Sequence, residues 1–486
     1  MFTIRGSLVR KIIAVAVASA LTACSTLPHY SQPQTAVPDH FASTPRPSAG
    51  WTVAAPADSQ VRGPWWTLFN DDDLNHLEAQ VDVSNQTVRK AVTQLEAARA
   101  MVDYQRAGYS PVVTAGASAQ RYRTSQNVVH KGLAGHTVPD FSTGLAASWE
   151  PDLFGRVKNA TVNARDNAQA SEADLQSVRL SVATDLAIDY FDLRSLDRQK
   201  KLLDDTVTAY AAALRIVQQQ LKDGAIDASA VAQAQTQLES TRTQDSDIDV
   251  QRAQLEHAIA TLIGQPASSF ALPPKVETVA LPQIPAGVPS QLLERRPDIA
   301  AAERRVAAAN AQIGEARAAF YPNLTLSATA GLESSFFAPW LTASSLFWSL
   351  GSQIAGTLFD GGRRTAALKN ASAQYDGTVA DYRQTVLVAF QQVEDDLSAL
   401  NTLANEADSQ QRATAAADLS LKLTTNRYQA GAVDYLNVVT AQTIALSNER
   451  TAEQIDARRI DASVQLLKAL GGGWDRNALT DANATD

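Results

Sequence analysis

The chain of 486 residues carries 42 Lys and Arg against 51 Asp and Glu, a formal net charge of −9. No basic block stands out, which argues against nucleic acid as a partner. The six histidines are scattered and no HxxxH or CxxC pair exists. With no nucleophile elbow or phosphate loop either, neither a metal, another cofactor nor an enzyme activity is expected.

Residues 1–23 begin with Arg5, Arg10 and Lys11 and continue into an apolar stretch from Ile12 to Ala20. That reads as a secretory signal peptide, too short for a stable membrane span. It ends in Leu21-Thr22-Ala23-Cys24, small residues before a cysteine, which resembles the bacterial lipobox. Cleavage there would leave Cys24 first, with lipid on its sulfur and amine. Cys24 is the only cysteine of the chain, so no internal disulfide competes for it. Residues 24–70 are rich in Pro, Ser and Ala and read as an extended, lipid-anchored arm. Within it, Trp65-Trp66-Thr67-Leu68-Phe69 either anchors the arm or forms a small satellite core.

Residues 71–264 read as a first repeat. Asp71, Asp72 and Asp73 place acid where a helix macrodipole favours it. The spacing predicts one helix from about Leu74 to Ala107, ending at Gly108. Two alternating stretches then predict strands over about 112–122 and 141–150. Thr124 to Asp140 between them reads as an exposed loop. From Arg156 to Asp223 there is neither Gly nor Pro. At 1.5 Å per residue, an unbroken helix there is about 100 Å long. Gly224 breaks it, and a second such run ends before Gly264.

Residues 265–291 contain Pro266, Pro273, Pro274, Pro282, Pro285 and Pro289 and read as an extended linker. Residues 292–474 then repeat the first pattern. Pro297 opens a helix to about Ala319, strands are expected over about 323–333 and 346–359, and Phe336 to Trp340 forms an aromatic loop tip. A second long hairpin over 363–470 turns at Gly431. Gly224-Ala225-Ile226-Asp227 matches Gly431-Ala432-Val433-Asp434, and Ala234-Gln235-Thr236 matches Ala441-Gln442-Thr443. The chain is thus a tandem duplication of helix–strand–strand–helix halves. The tail over 475–486 is polar and expected to be disordered.

Leu203, Val207, Tyr210, Leu214, Val217 and Leu221 form a heptad-like stripe, as do Leu436, Val439, Thr443 and Leu446. The remaining faces are polar, so these helices stand in water and need partner helices. Each strand has one apolar face and one of small polar residues, as in a membrane barrel, and about ten residues span a bilayer. Four strands cannot close, and an open edge cannot sit in lipid. Several chains must combine, unless the strands form a soluble tip on a lipid-anchored coiled-coil scaffold without a pore.

The lipobox, the duplicated halves, Leu153-Phe154-Gly155-Arg156 and Leu467-Lys468-Ala469-Leu470-Gly471-Gly472-Gly473-Trp474 together resemble the outer membrane factor (TolC-like) family of tripartite efflux systems. The likeness is to its lipoprotein branch, typified by OprM and NodT. That resemblance implies a mainly α fold with a membrane β part: a homotrimer with a 12-strand β-barrel joined to a 12-helix α-barrel. It implies an outer-membrane exit duct passing drugs or other small toxic compounds. Its partners would be outer-membrane lipid, a periplasmic adaptor and an inner-membrane transporter of RND type. Gly224 and Gly431 would mark the hairpin tips at the periplasmic end, where the duct closes. Residues just past each tip would line the gate, with acids six or nine positions after the glycine in many relatives. Those positions are here Ala230 and Gln233, then Asn437 and Thr440, a departure from an acidic gate. Asp227 and Asp434 are expected either to cap helices or to line the pore. Tyr428 matches a gate tyrosine of the family, and Arg427 adjoins it.

Overall fold

The computed structural model describes residues 26–38, 40–43, 64–127, 135–282, 284 and 295–474. The signal peptide, Cys24 and the tail after Trp474 lie outside the described residues. The chain divides into two compact units. One holds Leu95–Ser171 and Ala302–Tyr382 with the arm up to Pro33; the other holds Gln34–Gln94, Glu172–Ala301 and the chain from Arg383 onward.

The helices are α1 (Asp72–Ser84), α2 (Gln86–Arg106), α3 (Arg156–Lys222), α4 (Ala228–Leu262), α5 (Pro297–Ala318), α6 (Arg363–Gln429) and α7 (Tyr435–Ala469). The two Gly/Pro-poor runs are 67-residue helices, α3 and α6. The expected single helix from Leu74 to Ala107 is instead two, α1 and α2. Asn85 separates them with an extended backbone (φ −66°, ψ 123°). Its side-chain carbonyl accepts from the N–H groups of Thr87 (2.8 Å) and Val88 (2.9 Å), which caps α2. Its amide donates to Leu262 O (2.7 Å) at the end of α4. One side chain therefore ends α1, starts α2 and ties both to α4. Gly264, at φ +71°, completes this crossing, because a Cβ there would collide with Ser84 O.

In the second unit, residues 65–69 form a 3-10 turn that belongs to the core. Trp65 and Phe69 are buried, and the Phe69 ring lies 4.7 Å from that of Phe191. Asp71 caps α1 by accepting from Asp73 and Leu74 N–H, and the Tyr190 hydroxyl donates to the same carboxylate. A buried ionic cluster fastens the start of the linker. The Asp197 carboxylate accepts from Arg194 (3.0 Å), Arg252 (2.8 Å) and the Lys275 N–H (3.0 Å). Arg194 also donates to Pro273 O (2.8 Å) and Arg252 to Leu272 O, so the linker is held by its own backbone.

Glu78 on α1 is 3% exposed, and neither carboxylate oxygen has a hydrogen-bond partner among the described residues. Burial, with the Asp82 charge adding to it, pushes its carboxyl up to about 9. The folded protein therefore holds this proton more tightly than the unfolded chain does. The stability it contributes is complete below the ordinary carboxylate range and is lost as pH rises through about 9. Glu78→Met should raise the stability read from chemical denaturation by ~3 kcal/mol near neutral pH, and flatten its decline between the carboxylate range and about 9. Parallel pH profiles for the two proteins would refute this.

The first unit contains an antiparallel sheet in the order β1 (Val112–Arg123), β2 (Thr137–Trp149), β3 (Asn323–Ser334) and β4 (Leu346–Ala355). Adjacent strands pair Ala119 with Phe141, Leu145 with Ala330, and Ala330 with Trp348. Period two then gives one apolar face, including Leu145, Trp149, Leu326, Leu332, Trp348 and Leu350. The other face is polar, with hydroxyl pairs Ser118–Ser142 (2.9 Å) and Thr329–Ser349 (2.8 Å) across the strands. Gly144 faces Gly331, and a Cβ on either would strike backbone of the other strand, so β2 and β3 approach closely.

Two strand limits differ from the sequence reading. β2 starts at Thr137, inside the expected loop, because residues 137–140 still pair with Gln120 to Arg123. Pro139 is tolerated there. Thr124 N–H bonds His136 O, so by alternation the Pro139 nitrogen points away from β1, beyond the end of β3. β4 stops at Ala355 rather than near 359, because β3 begins at its partner Asn323.

The N-terminal arm is extended, and each unit binds its own part. In the first unit, Thr26 Oγ1 donates to Phe154 O (2.8 Å), and Asn310 donates to Pro28 O (3.0 Å). In the second, Glu394 accepts from the N–H groups of Ala42 (2.7 Å) and Ser43 (2.9 Å).

Candidate functional site: the paired hairpin tips

The two hairpin turns are built alike. Gly224 and Gly431 take φ +73° and +72°, the left-handed conformation that ends a helix at little cost for glycine. Gly224 N–H bonds Leu221 O and Ala225 N–H bonds Gln220 O; Gly431 and Ala432 repeat this with Tyr428 and Arg427. This nested pair satisfies the last carbonyls of α3 and α6.

The turns diverge at the next helix. The Asp227 carboxylate accepts from Ser229 N–H (2.7 Å) and from its hydroxyl, capping α4. Those hydrogen bonds from Ser229 hold its carboxyl below the usual range. Asp434 starts α7 with an extended backbone but makes no side-chain cap. Its carbonyl instead accepts from Asn437 N–H (3.1 Å).

The tips of both hairpins share one cluster. Val217, Ala234, Tyr435 and Val438 are buried together, with Ala230, Ile226 and Tyr428 packed against them. The Tyr428 hydroxyl donates to Gln220 Oε1 (2.7 Å), linking α6 to α3. Its ring meets that of Tyr435 edge-on at 5.4 Å. Burial pushes both phenols up, that of Tyr435 to about 12, so both remain neutral donors at physiological pH.

Tyr428 and Ala230 thus sit in this cluster. Arg427, Asp434, Asn437 and Thr440 lie on exposed surface. Asn437 and Thr440 bond within their own helix: Thr440 Oγ1 donates to Leu436 O (2.9 Å), and the Asn437 amide reaches Asp434 O (3.4 Å). Among the described residues, the Arg427 side chain forms no ion pair. Gln220 and Tyr435 were missed in the sequence. Gln220 lies one turn before the tip glycine, but its partner is on another helix. Tyr435 was hidden because the buried side of α7 follows Tyr435, Val438 and Ala445, one residue before the expected stripe. Leu436 is 54% exposed and Thr443 is exposed, although Leu446 is buried as expected.

Above the tips, α4 and α7 run side by side in near-equivalent register. Arg450 donates to Gln244 (2.6 Å), and Arg198 on α3 pairs with Glu453 (2.7 Å). Ile216, Val250, Leu419, Leu423 and Ile444 remain exposed in a single chain.

The family model described as outer membrane efflux protein matches residues 79–265 and 288–472, both halves of the duplication. The chain belongs to this family. It is 33% identical over 471 residues to the cation efflux system protein CusC of Escherichia coli, covering 96% of this chain and 99% of that one. It is 32% identical over 468 residues to the toluene efflux pump outer membrane protein TtgC of Pseudomonas putida, covering 96% of each. Among solved structures, a membrane protein from Pseudomonas aeruginosa superposes with a TM-score of 0.86 at 31% identity, covering 94% of this chain and 100% of that one. The protein is an outer-membrane channel of a tripartite efflux system, with a long periplasmic helical extension.

Proposed function

We propose that three copies form the exit duct, with the four strands of each copy contributing to one 12-strand β-barrel and the long helices to a 12-helix α-barrel. The observation that carries this is the sheet itself. It has an apolar face, a polar face and two unpaired edges, β1 and β4, and lipid does not tolerate an open edge. The exposed apolar residues of the helices supply the further surface that assembly would bury. Lipid on Cys24, with residues 24–70 as the arm, holds the assembly at the outer membrane. Residues 71–264 and 292–474 are the two repeats, joined by the linker 265–291, with 475–486 as a polar tail.

The duct serves a periplasmic adaptor and an inner-membrane transporter of RND type. Relatives named for cation efflux and for toluene efflux share its whole length, so cargo is set by the transporter and the duct conducts passively. Drugs and other small toxic compounds are the cargo class. Single-channel conductance of the detergent-purified protein, with its native mass measured alongside, tests this. A trimer with a small, mostly closed conductance is the expected result. A monomer without conductance would overturn it.

The paired tips are the gate. It is held by neutral contacts around Tyr428, Tyr435 and Gln220, with Asn437 and Thr440 facing the opening in place of acids. Asn437→Asp combined with Thr440→Asp should introduce cation block that the unmodified channel lacks, because two added carboxylates per copy create a ring of negative charge. Unchanged block in planar-bilayer recordings would refute that placement.

A further inference from the structure

We infer that Leu358 and Phe359 are an intermolecular plug, seated on the Tyr109–Pro111 surface of the next copy of this chain. The inference rests on the assembly proposed above and names the surface that joins its members.

The template lies within the chain. After β2, the turn Leu153-Phe154-Gly155 leads into α3. Before β3, the chain leaves α5 through Tyr321 and Pro322. Because β2 pairs with β3, this exit and this entrance are neighbours, and Phe154 stacks on Tyr321 with ring centroids 4.9 Å apart and 14° between planes. The duplication supplies a second exit and a second entrance. Leu358-Phe359 follows β4, and Tyr109-Ser110-Pro111 precedes β1. Among the described residues they stand open to different degrees. Leu358 is 100% exposed, Phe359 89% and Tyr109 42%.

Their position is fixed. Asp360 accepts from Gly362 N–H (3.0 Å) and from the N–H (3.2 Å) and Nε (2.6 Å) of Arg364, which makes a rigid charged turn beside Phe359. Tyr109 is likewise held, its carbonyl accepting from Trp149 Nε1 (2.9 Å). Two large apolar side chains are therefore presented next to a fixed charge, a poor arrangement for lipid. They also adjoin β4, just as Tyr109 adjoins β1, and those are the two edges that must find partners.

The in-chain registers also fix how those edges meet. Ala119 pairs with Phe141 and Ala330 with Trp348, so Trp348 is the counterpart of Phe141. Transferring the β2–β3 register places Ile354 opposite Ala117 of the next copy and Trp348 opposite its Arg123. This keeps Leu346, Trp348, Leu350 and Ile354 of β4 on the face that Ala117 and Ala119 of β1 share, as a continuous barrel wall demands.

The test is disulfide trapping in the full-length chain carrying Tyr109→Cys and Phe359→Cys together. Mild oxidation should convert most of the protein into linked dimers and trimers on denaturing gels, and neither single variant should link. Phe359→Asp should lower the trimeric fraction at least ten-fold at equal concentration, whereas Phe359→Leu should retain it. Native mass separates the two levels of failure. A trimer that does not link, and that Phe359→Asp leaves intact, overturns the plug alone. A protein with no trimer before any substitution overturns the assembly on which the plug rests.

Discussion

Asp197→Ala should cost about 3–5 kcal/mol of stability, the range for removing one partner from a buried ion pair. The Asp197 side chain is 1% exposed and lies between Arg194 and Arg252, themselves 3% and 16% exposed. Deleting the carboxylate removes the shared, buried anion of two guanidinium groups and leaves them only their longer pairs, Arg194 with Asp73 (3.5 Å) and Arg252 with Glu256 (3.4 Å). It also frees the Lys275 N–H, one of the bonds that hold the linker against α3 and α4. Limited proteolysis should therefore cut near residues 272–275 well before it cuts the long helices. Asp197→Asn keeps the shape and one acceptor and should fall between wild type and Ala. A denaturation midpoint for Asp197→Ala within error of wild type would show that the cluster is not a structural clamp.

Tyr435→Ala should open the channel. The side chain is the largest buried group of the tip cluster, and truncating a buried aromatic costs about 3–5 kcal/mol. If even ~3 kcal/mol falls on the equilibrium between packed and separated tips, the open population rises about 100-fold. Tyr428→Phe is the graded control. It retains the ring against Tyr435 and loses only the bond to Gln220, worth about 1 kcal/mol. Planar-bilayer recordings should show a large rise in open time for Tyr435→Ala and a several-fold rise for Tyr428→Phe. Closed times unchanged in both would move the gate away from the tips.

The long hairpins were legible in the sequence because helices of 67 residues tolerate almost no Gly or Pro, Gly377 being the one glycine inside them, and the tip glycines stood out at matching places in the two halves. The strands were legible by their period of two. Asn85 was not, because it breaks a helix through its side-chain bonds, without Gly or Pro to mark it. The ion cluster was hidden for a related reason. Charged residues on a helix usually face water, and only the fold shows that Arg194, Asp197 and Arg252 converge under the linker. At the candidate gate, the repeat identified the turns but not the contacts between them. Gln220 acquires its role from Tyr428, 208 residues away in sequence. The stripe on α7 was misplaced by one residue because that helix offers apolar groups on two sides, and a single chain buries only one.

The β2–β3 seam lies inside one chain, and this changes the arithmetic of assembly. A ring made of unduplicated halves would need twice as many pieces, each meeting its neighbours only as often as their concentration in the periplasm allows. Joining two halves makes every second seam intramolecular, formed at a local concentration that the connecting chain sets. It also releases the two kinds of seam from having to be identical. The covalent one has adopted the close approach of Gly144 to Gly331, where side chains are absent and backbones nearly touch. The proposed joint between copies would instead use the β4 edge, where Ile354 stands exposed. A symmetric ancestor could not have held two different joints, so in the proposed assembly the duplication lets the joint within a chain and the joint between copies diverge.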